Sequence, residues 1–293
     1  MAYIAAIDEG TTGTRAVLYD LDKNKIIASK SSEIKQFYPK PSYVEENANE
    51  IYAETLASLV EVLEGADDIG KVVGIGITNQ RETIIAWDKK TGKPLYNAIV
   101  WQCRRTADFM TELDVKYGDI IRRKTGLVMD AYFSASKIKW LIDNVPIIRQ
   151  KADEGEVCFG TVDSFLVYKL TGGKAFVTDV TNASRTMLFN INTLDYDDEL
   201  LAIFGVKREC LPKVVYSDEK VGEFEYDGYK IPVCGIAGDQ QAALIGQGCL
   251  SVGDVKATYG TGLFMLYNTG YKSIISQNGL VTTVAYGIGG EVS

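Results

Sequence analysis

Four polar positions stand where chemistry would need them. Asp8 ends the apolar run Tyr3–Ile7 and opens the stretch Asp8-Glu9-Gly10-Thr11-Thr12-Gly13-Thr14. A Gly/Thr turn of this kind offers backbone N–H groups that can make a nest for an anion. Arg81 and Glu82 are adjacent charges directly after the apolar run 71–78. Asp239 follows Gly235-Ile236-Ala237-Gly238 and precedes a helical pattern. At a strand end and helix start a side chain can project into a cleft, and an aspartate there can take a proton from a hydroxyl. The same position suits an N-cap aspartate, and on residue types alone the two readings are even. For Arg81-Glu82 the default is a surface turn. The sequence has no histidine. That removes Ser-His-Asp and Cys-His mechanisms and most zinc chemistry in one step, so an acid–base catalyst is to be sought among Asp and Glu.

The elements around these residues must hold them. The first 30 residues read strand over 3–7, turn over 8–14, strand over 15–19, turn over 22–25, and strand over 26–28. Asn47 with Glu50 three residues later predicts a capped helix start. Tyr52, Leu56, Leu59, Val60 and Leu63 then fall on one face. Strands are expected over 71–78, 83–87 and 231–236, with a mostly helical region over 104–170 and a helix opening at Asp239. The opening pattern then recurs as strand 254–259, turn Gly260-Thr261-Gly262 and strand 263–267. This reads as a weak internal repeat, the start of a second domain built like the first. Taken singly, each turn is no more than a hairpin. A few strands cannot bury a core alone. The second copy is therefore expected to lean on the first domain, on another chain, or on residues beyond this sequence.

Bulk properties set limits. The 293 residues can bury one large core or two smaller ones. A net charge of −8 disfavours nucleic acid or an anionic membrane as the main partner. It leaves a phosphate ligand open, because backbone N–H groups and a metal can hold one. No apolar stretch approaches the length of a bilayer span, and the N-terminus reads as a buried strand and not a signal peptide. Cys103, Cys158, Cys210, Cys234 and Cys249 are scattered without a C-x-x-C pair. Neither zinc nor a disulfide framework is indicated, and a reducing, cytoplasmic compartment is expected.

Five segments taken in order resemble the FGGY family of carbohydrate kinases, and within it the members that act on glycerol. They are DEGTTGTR from Asp8 to Arg15, GITNQRET from Gly76 to Thr83, NAIVWQCRR from Asn97 to Arg105, TDVTNASRTM from Thr178 to Met187, and GIAGDQQAAL from Gly235 to Leu244. The resemblance implies an α/β fold of two ribonuclease-H-like (actin-like ATPase) domains with a cleft between them. Residues 1–248 would be the N-terminal, glycerol-binding domain. Residues 249–293 would be the opening strands of a C-terminal, nucleotide-binding one. The implied reaction is phosphoryl transfer from ATP to glycerol with Mg2+, a chemistry of positioning and charge neutralisation. By the same resemblance Asp239 is the catalytic base. Arg81, Glu82, Trp101, Tyr132, Asp239, Gln240 and Phe264 bind glycerol, the charged pair fixing its hydroxyls and the aromatics its carbons. For the aromatics, core packing is the alternative. Thr11, Thr12, Gly13, Arg15, Gly260 and Thr261 hold the phosphates, and Asp8 stands by Mg2+ through water. The full-length form is expected to be a homo-oligomer.

The sequence departs from the family pattern at three of these places. Glu9 and Gly13 stand where Gln and Ser are usual, and Ala131 precedes Tyr132 where Pro is usual. Glu9 is expected to bring an extra negative charge near the phosphates. The resemblance also places the adenine and ribose contacts beyond Ser293, so weak ATP affinity and little turnover are expected of these residues by themselves. Three further readings stay open: a kinase of the same family acting on a pentulose or hexulose, a non-catalytic glycerol-binding fragment, and an actin-like ATPase without a sugar substrate. In the last, Arg81-Glu82 and Asp239 have no obvious task.

Overall fold

A computed structural model describes residues 2–260 and 262–293. The chain opens as an antiparallel meander of β1 (Tyr3–Glu9), β2 (Gly13–Asp20) and β3 (Lys25–Glu33). Helix α1 (Ala48–Leu63) packs on it. Asn47 Oδ1 accepts from the Asn49 amide, but Glu50 accepts from the Lys35 amide at 3.0 Å instead of reaching back to Asn47. The capping box is thus half formed, with its acid spent on tying down the incoming loop. The buried face of α1 is Ile51, Thr55, Ser58, Leu59, Val62 and Leu63, about one residue out of phase with the expected stripe. The reason is Thr55, a polar member of the stripe that donates to Thr14 Oγ1 at 3.2 Å and so breaks the apolar period.

β4 (Val72–Asn79) returns beside β1 and pairs with it in parallel. A second layer follows: β5 (Ile85–Asp88), α2 (Ala107–Thr125), α3 (Ser134–Asn144), α4 (Pro146–Asp153), β6 (Val157–Gly160), α5 (Val162–Leu170), α6 (Val180–Ala183) and α7 (Asp198–Phe204). Most of it shares a second apolar cluster, including Ile138, Phe159, Leu188 and Phe204, whereas α5 and Trp87 of β5 join the core of the first sheet. The strand β6 interrupts the expected helical region because Val157-Cys158-Phe159-Gly160 is buried on both faces and pairs with β5. The hairpin of β7 (Gly222–Tyr226) and β8 (Tyr229–Gly238) then completes a six-stranded sheet of order β7-β8-β4-β1-β2-β3. Helix α8 (Asp239–Gly246) leads to a separate antiparallel pair, β9 (Val255–Tyr259) and β10 (Leu263–Tyr267). Among the described residues, no helix is long and apolar enough to cross a membrane.

One feature of this topology builds the site. β1, β4 and β8 are mutually parallel neighbours, and their carboxyl ends are level. Glu9 and Gly238 both register with Asn79. The residues that follow each strand are therefore delivered to one edge, where open α/β sheets place their ligands.

Candidate active site

At that edge lies a cavity of about 530 Å³, closed on its far side by α8 and the β9–β10 turn. Eleven of the residues expected from the sequence line it: Asp8, Thr11, Thr12, Arg81, Glu82, Trp101, Tyr132, Asp239, Gln240, Gly260 and Phe264. Thr261 lies outside the described residues. Two others do not line the cavity. Gly13 is a packing residue, since a Cβ there would stand 2.6 Å from the Ser32 carbonyl oxygen. Arg15 sits on β2 opposite Asp8 and donates from Nε to Ser29 Oγ at 3.1 Å. Cross-strand partners share a face of the sheet, so Arg15 stands beside Asp8 and lowers its pKa without lining the cavity.

Asp239 is the first residue of α8, and its side chain does not cap the helix. Its Oδ1 stands 3.1 Å from Arg81 Nε, an ion pair without hydrogen-bond alignment. Its Oδ2 accepts from Gln240 Nε2 at 2.8 Å. The N-cap alternative is thereby set aside. Arg81 is buried, not on a surface turn. Burial opposes its charge, and Glu82 and Asp239 more than offset this, holding the guanidinium above its ordinary pKa. Arg81 Nη1 also donates to Gln241 Oε1 at 3.1 Å. Gly238 makes this possible: a Cβ at that position would meet Arg81 Cδ at 2.6 Å.

Glu82 is 1% exposed and sits at φ +62°, a left-handed backbone that a non-glycine residue adopts at a cost of order 1–3 kcal/mol. The surrounding contacts hold it there. Arg185 Nε donates to Glu82 Oε1 at 2.6 Å, and Ser134 Oγ donates to the Glu82 carbonyl at 3.2 Å. With one oxygen held by Arg185, the carboxylate has its orientation fixed toward the cavity it lines.

The aromatics form a wall. Trp101 meets Tyr132 edge-on at 5.5 Å between centroids and Phe264 at 6.2 Å. Trp101 Nε1 donates to Thr11 Oγ1 at 2.8 Å, tying the wall to the Gly/Thr turn. These rings border the cavity, so core packing does not account for them.

The other end of the cavity suits an anion. The Gly10 amide donates to the Gly13 carbonyl three residues on, and the Gly260 amide to the Gly262 carbonyl two residues on, each at 3.0 Å. Among the described residues the amides of Thr11 and Thr12 have no acceptor, which is the nest a phosphate would use. Burial and the neighbouring Asp239 raise the pKa of Asp8, and Arg15 opposes them. Two carboxylates facing one cavity in this way are a fit for a cation. Among the described residues no three metal-binding side chains converge, so a cation would carry most of its ligands with it, as Mg2+ does with water and phosphate oxygens. Glu9 is buried and does not line the cavity, and burial and Glu46 push its carboxyl well above the ordinary range.

The N-terminal domain of the FGGY family of carbohydrate kinases is matched over residues 3–246. The chain belongs to that family. A glycerol kinase of Bacillus thuringiensis (strain Al Hakam) is 52% identical over 99% of this chain and 60% of its own length. The crystal structure of Plasmodium falciparum glycerol kinase with ADP superposes with a TM-score of 0.92 at 42% identity, over 98% of this chain and 58% of that one. A ligand-bound xylulose kinase from Lactobacillus acidophilus gives 0.80 at 25% identity, over 90% of this chain and 54% of that one. The chain thus spans about 60% of the length of the curated FGGY relatives it matches.

Several residues of this FGGY chain that line or brace the cavity have no local signal in the sequence. Gln80 lines the cavity and is held from behind: its Oε1 accepts from Thr83 Oγ1, and its Nε2 donates to Glu46 Oε2. Arg185 and Gln241 lie inside the recognised segments, but spacing gives no sign of which charge or amide each would meet. Asp179, Asn182 and Ser217 form a buried network beneath the site. Asn182 and Asn79 exchange amide hydrogen bonds at 3.0 and 3.1 Å, and Thr181 Oγ1 accepts from the Gly238 amide. This fixes the ends of β4 and β8, and with them Arg81 and Asp239.

Proposed function

We propose that this chain carries the alcohol-binding half and the catalytic base of an ATP-dependent glycerol kinase. The single observation behind this reading is the pairing of two buried charges at one cavity edge: Arg81 against Asp239, and Glu82 held by Arg185. A small triol offers only hydroxyls and a short carbon chain. Arg81 would donate to those hydroxyls, Glu82 would accept from them, and the Trp101–Tyr132–Phe264 wall would take the carbons. Gln240 would add a further hydrogen bond. Asp239, 35% exposed at its side chain, would take the proton of the attacking hydroxyl, while Arg81 keeps its carboxylate aimed. Thr11 and Thr12 would cradle the phosphates, with Gly260 and Thr261 facing them, and Asp8 would stand by Mg2+. The metal, when bound, supplies neutralisation of phosphate charge. The same reading assigns residues 1–248 to the glycerol-binding domain and 249–293 to the opening of the nucleotide-binding one, in a cytoplasmic, oligomeric enzyme.

The test is calorimetry with glycerol together with a glycerol-dependent ADP-release assay on this chain. The expected result is saturable glycerol binding, weakened about tenfold or more by Glu82→Gln, which removes a charged acceptor. Any ADP release should require glycerol and vanish in Asp239→Asn. Preference for a pentulose over glycerol would overturn the substrate. Glycerol binding with no ADP release would favour the reading as a binding fragment.

A further inference from the structure

Lys137 is a charged side chain that the proposed chemistry leaves unused. It lies in the first turns of α3 and is fully buried. Its Nζ donates to the carbonyl oxygens of Ala131 at 2.9 Å, Tyr132 at 2.6 Å and Phe133 at 3.0 Å. An ammonium has three N–H donors and no acceptor, so three consecutive carbonyls use its whole hydrogen-bonding capacity. Burying a charge is costly, and an apolar side chain of similar length would fill the space at less cost. What the lysine adds is cohesion. Three successive carbonyl dipoles pointing at one spot repel one another, and a cation at that spot holds them together.

The segment so gathered is part of the cavity wall. Tyr132 stands against Trp101, and Ser134, the first residue after the three carbonyls, donates to the Glu82 backbone. Arg185 lies over the Phe133 ring at 5.0 Å and near the Tyr132 ring at 5.8 Å. Tyr132, Ser134 and Glu82 therefore share one support. We propose that Lys137 is a positioning residue: by gathering the carbonyls of residues 131–133 it fixes Tyr132 against the cavity and so sets the affinity for the small alcohol. The inference rests on the glycerol reading given above. The charged and titratable groups facing Lys137 are Glu82, Cys103, Asp130 and Arg104. Burial pushes its pKa down to about 7, with Glu82, Cys103 and Asp130 working against this and Arg104 adding to it. A neutral amine has one donor fewer, so the clamp loosens as pH rises through that region.

The test is a double-mutant cycle read by glycerol calorimetry on the 293-residue chain, with Lys137→Met, Tyr132→Ala and the double variant, each checked by circular dichroism. Lys137→Met should weaken glycerol binding about tenfold at pH 6, the scale expected when a wall group is misplaced. In the Tyr132→Ala background it should add less than about twofold, because the two act through one contact. The affinity of the unaltered chain should fall between pH 6 and pH 9, and that fall should be smaller in Lys137→Met. Additive losses, or full affinity in a folded Lys137→Met, would overturn the proposal. Should Lys137→Met not fold, Lys137→Gln is read by the same cycle. Failure of both to fold would make the lysine a structural residue and overturn the positioning role. An unaltered chain that takes no glycerol would overturn the proposed function and this inference with it.

Discussion

The chain contains two hairpins with the same layout of strand, Gly/Thr turn and strand, and they end up in different surroundings. In the first, Ala5 pairs with Leu18 and both are fully buried in a six-stranded sheet. In the second, Ala257 pairs with Met265 at the corresponding place, and Met265 is 68% exposed. Val255, Tyr259, Leu263 and Tyr267 share that exposed face. Strand pattern and turn chemistry are alike. The difference is what lies alongside: β1 has β4 on its other edge and α1 across its face, whereas β9 and β10 pair only with each other among the described residues. A hairpin's sequence specifies its turn and its register, and its stability comes from the elements that cover it.

The largest consequence is for core deletions. Leu18→Ala should cost about 2–5 kcal/mol, the range for emptying a buried leucine site. Met265→Ala should cost less than about 0.5 kcal/mol, as for exposed positions away from special features. Urea unfolding followed through Trp87, Trp101 and Trp140, all in the first region, reads the former. Hydrogen exchange of the β9 and β10 amides reads the latter, and those amides should exchange faster than those of β1 and β2. Equal protection of the two hairpins would break the contrast.

Burial also gives the first region a pH dependence of its own. Burial raises the Glu46 carboxyl to about 7, against the pull of hydrogen bonds from Gln80 and Gln36. Its folded pKa lies above the unfolded value, so between about 4.5 and 7 the folded state binds more protons than the unfolded one, and stability falls as pH rises through that window. Glu46→Gln removes the titration. Its stability relative to the unaltered chain should improve between pH 4.5 and pH 8 by up to about 3 kcal/mol, read as urea midpoints. A difference that does not change with pH would show that the carboxyl is ionised throughout.

What could be seen in the sequence follows the same division. Turns and strands are local, so both hairpins, β4 and the start of α8 were legible from apolar runs and Gly/Thr punctuation. The β7–β8 hairpin also had a local signal, Asp227-Gly228 between two apolar-rich runs, and its φ values of 49° and 79° are those such a pair adopts. The cavity residues were legible only through a family resemblance. Nothing local states that β1, β4 and β8 end level, yet that register alone brings Asp8, Arg81 and Asp239 together. Arg185 and Lys137 were illegible for a sharper reason. Each is a cation in a helical or loop stretch whose ordinary place is the surface, and only the long-range packing shows which buried oxygens it serves. In α1 the apolar spacing finds Leu59 and Leu63 in the core and Tyr52 and Leu56 against it, and passes over Thr55 and Ser58, which are polar and buried at once.

The smallest effect compares the two turns directly. At Gly13 an added Cβ would stand 2.6 Å from the Ser32 carbonyl oxygen, and backbone cannot step aside cheaply. At Gly260 nothing lies within 4 Å of where the Cβ would be, and its φ is not in the left-handed region. Gly13→Ala should therefore lose about 1–3 kcal/mol, the cost of forcing extra volume into a packed site. Gly260→Ala should leave stability within about 0.5 kcal/mol. The two substitutions separate packing from ligand contact, because Gly260 lines the cavity and Gly13 does not. If Gly260 serves the phosphates, its alanine variant will keep the urea midpoint and lose nucleotide affinity, whereas Gly13→Ala will lower the midpoint. A Gly260→Ala variant with unchanged nucleotide binding would remove Gly260 from the phosphate site and leave Phe264 as the contribution of β9–β10 to the cavity.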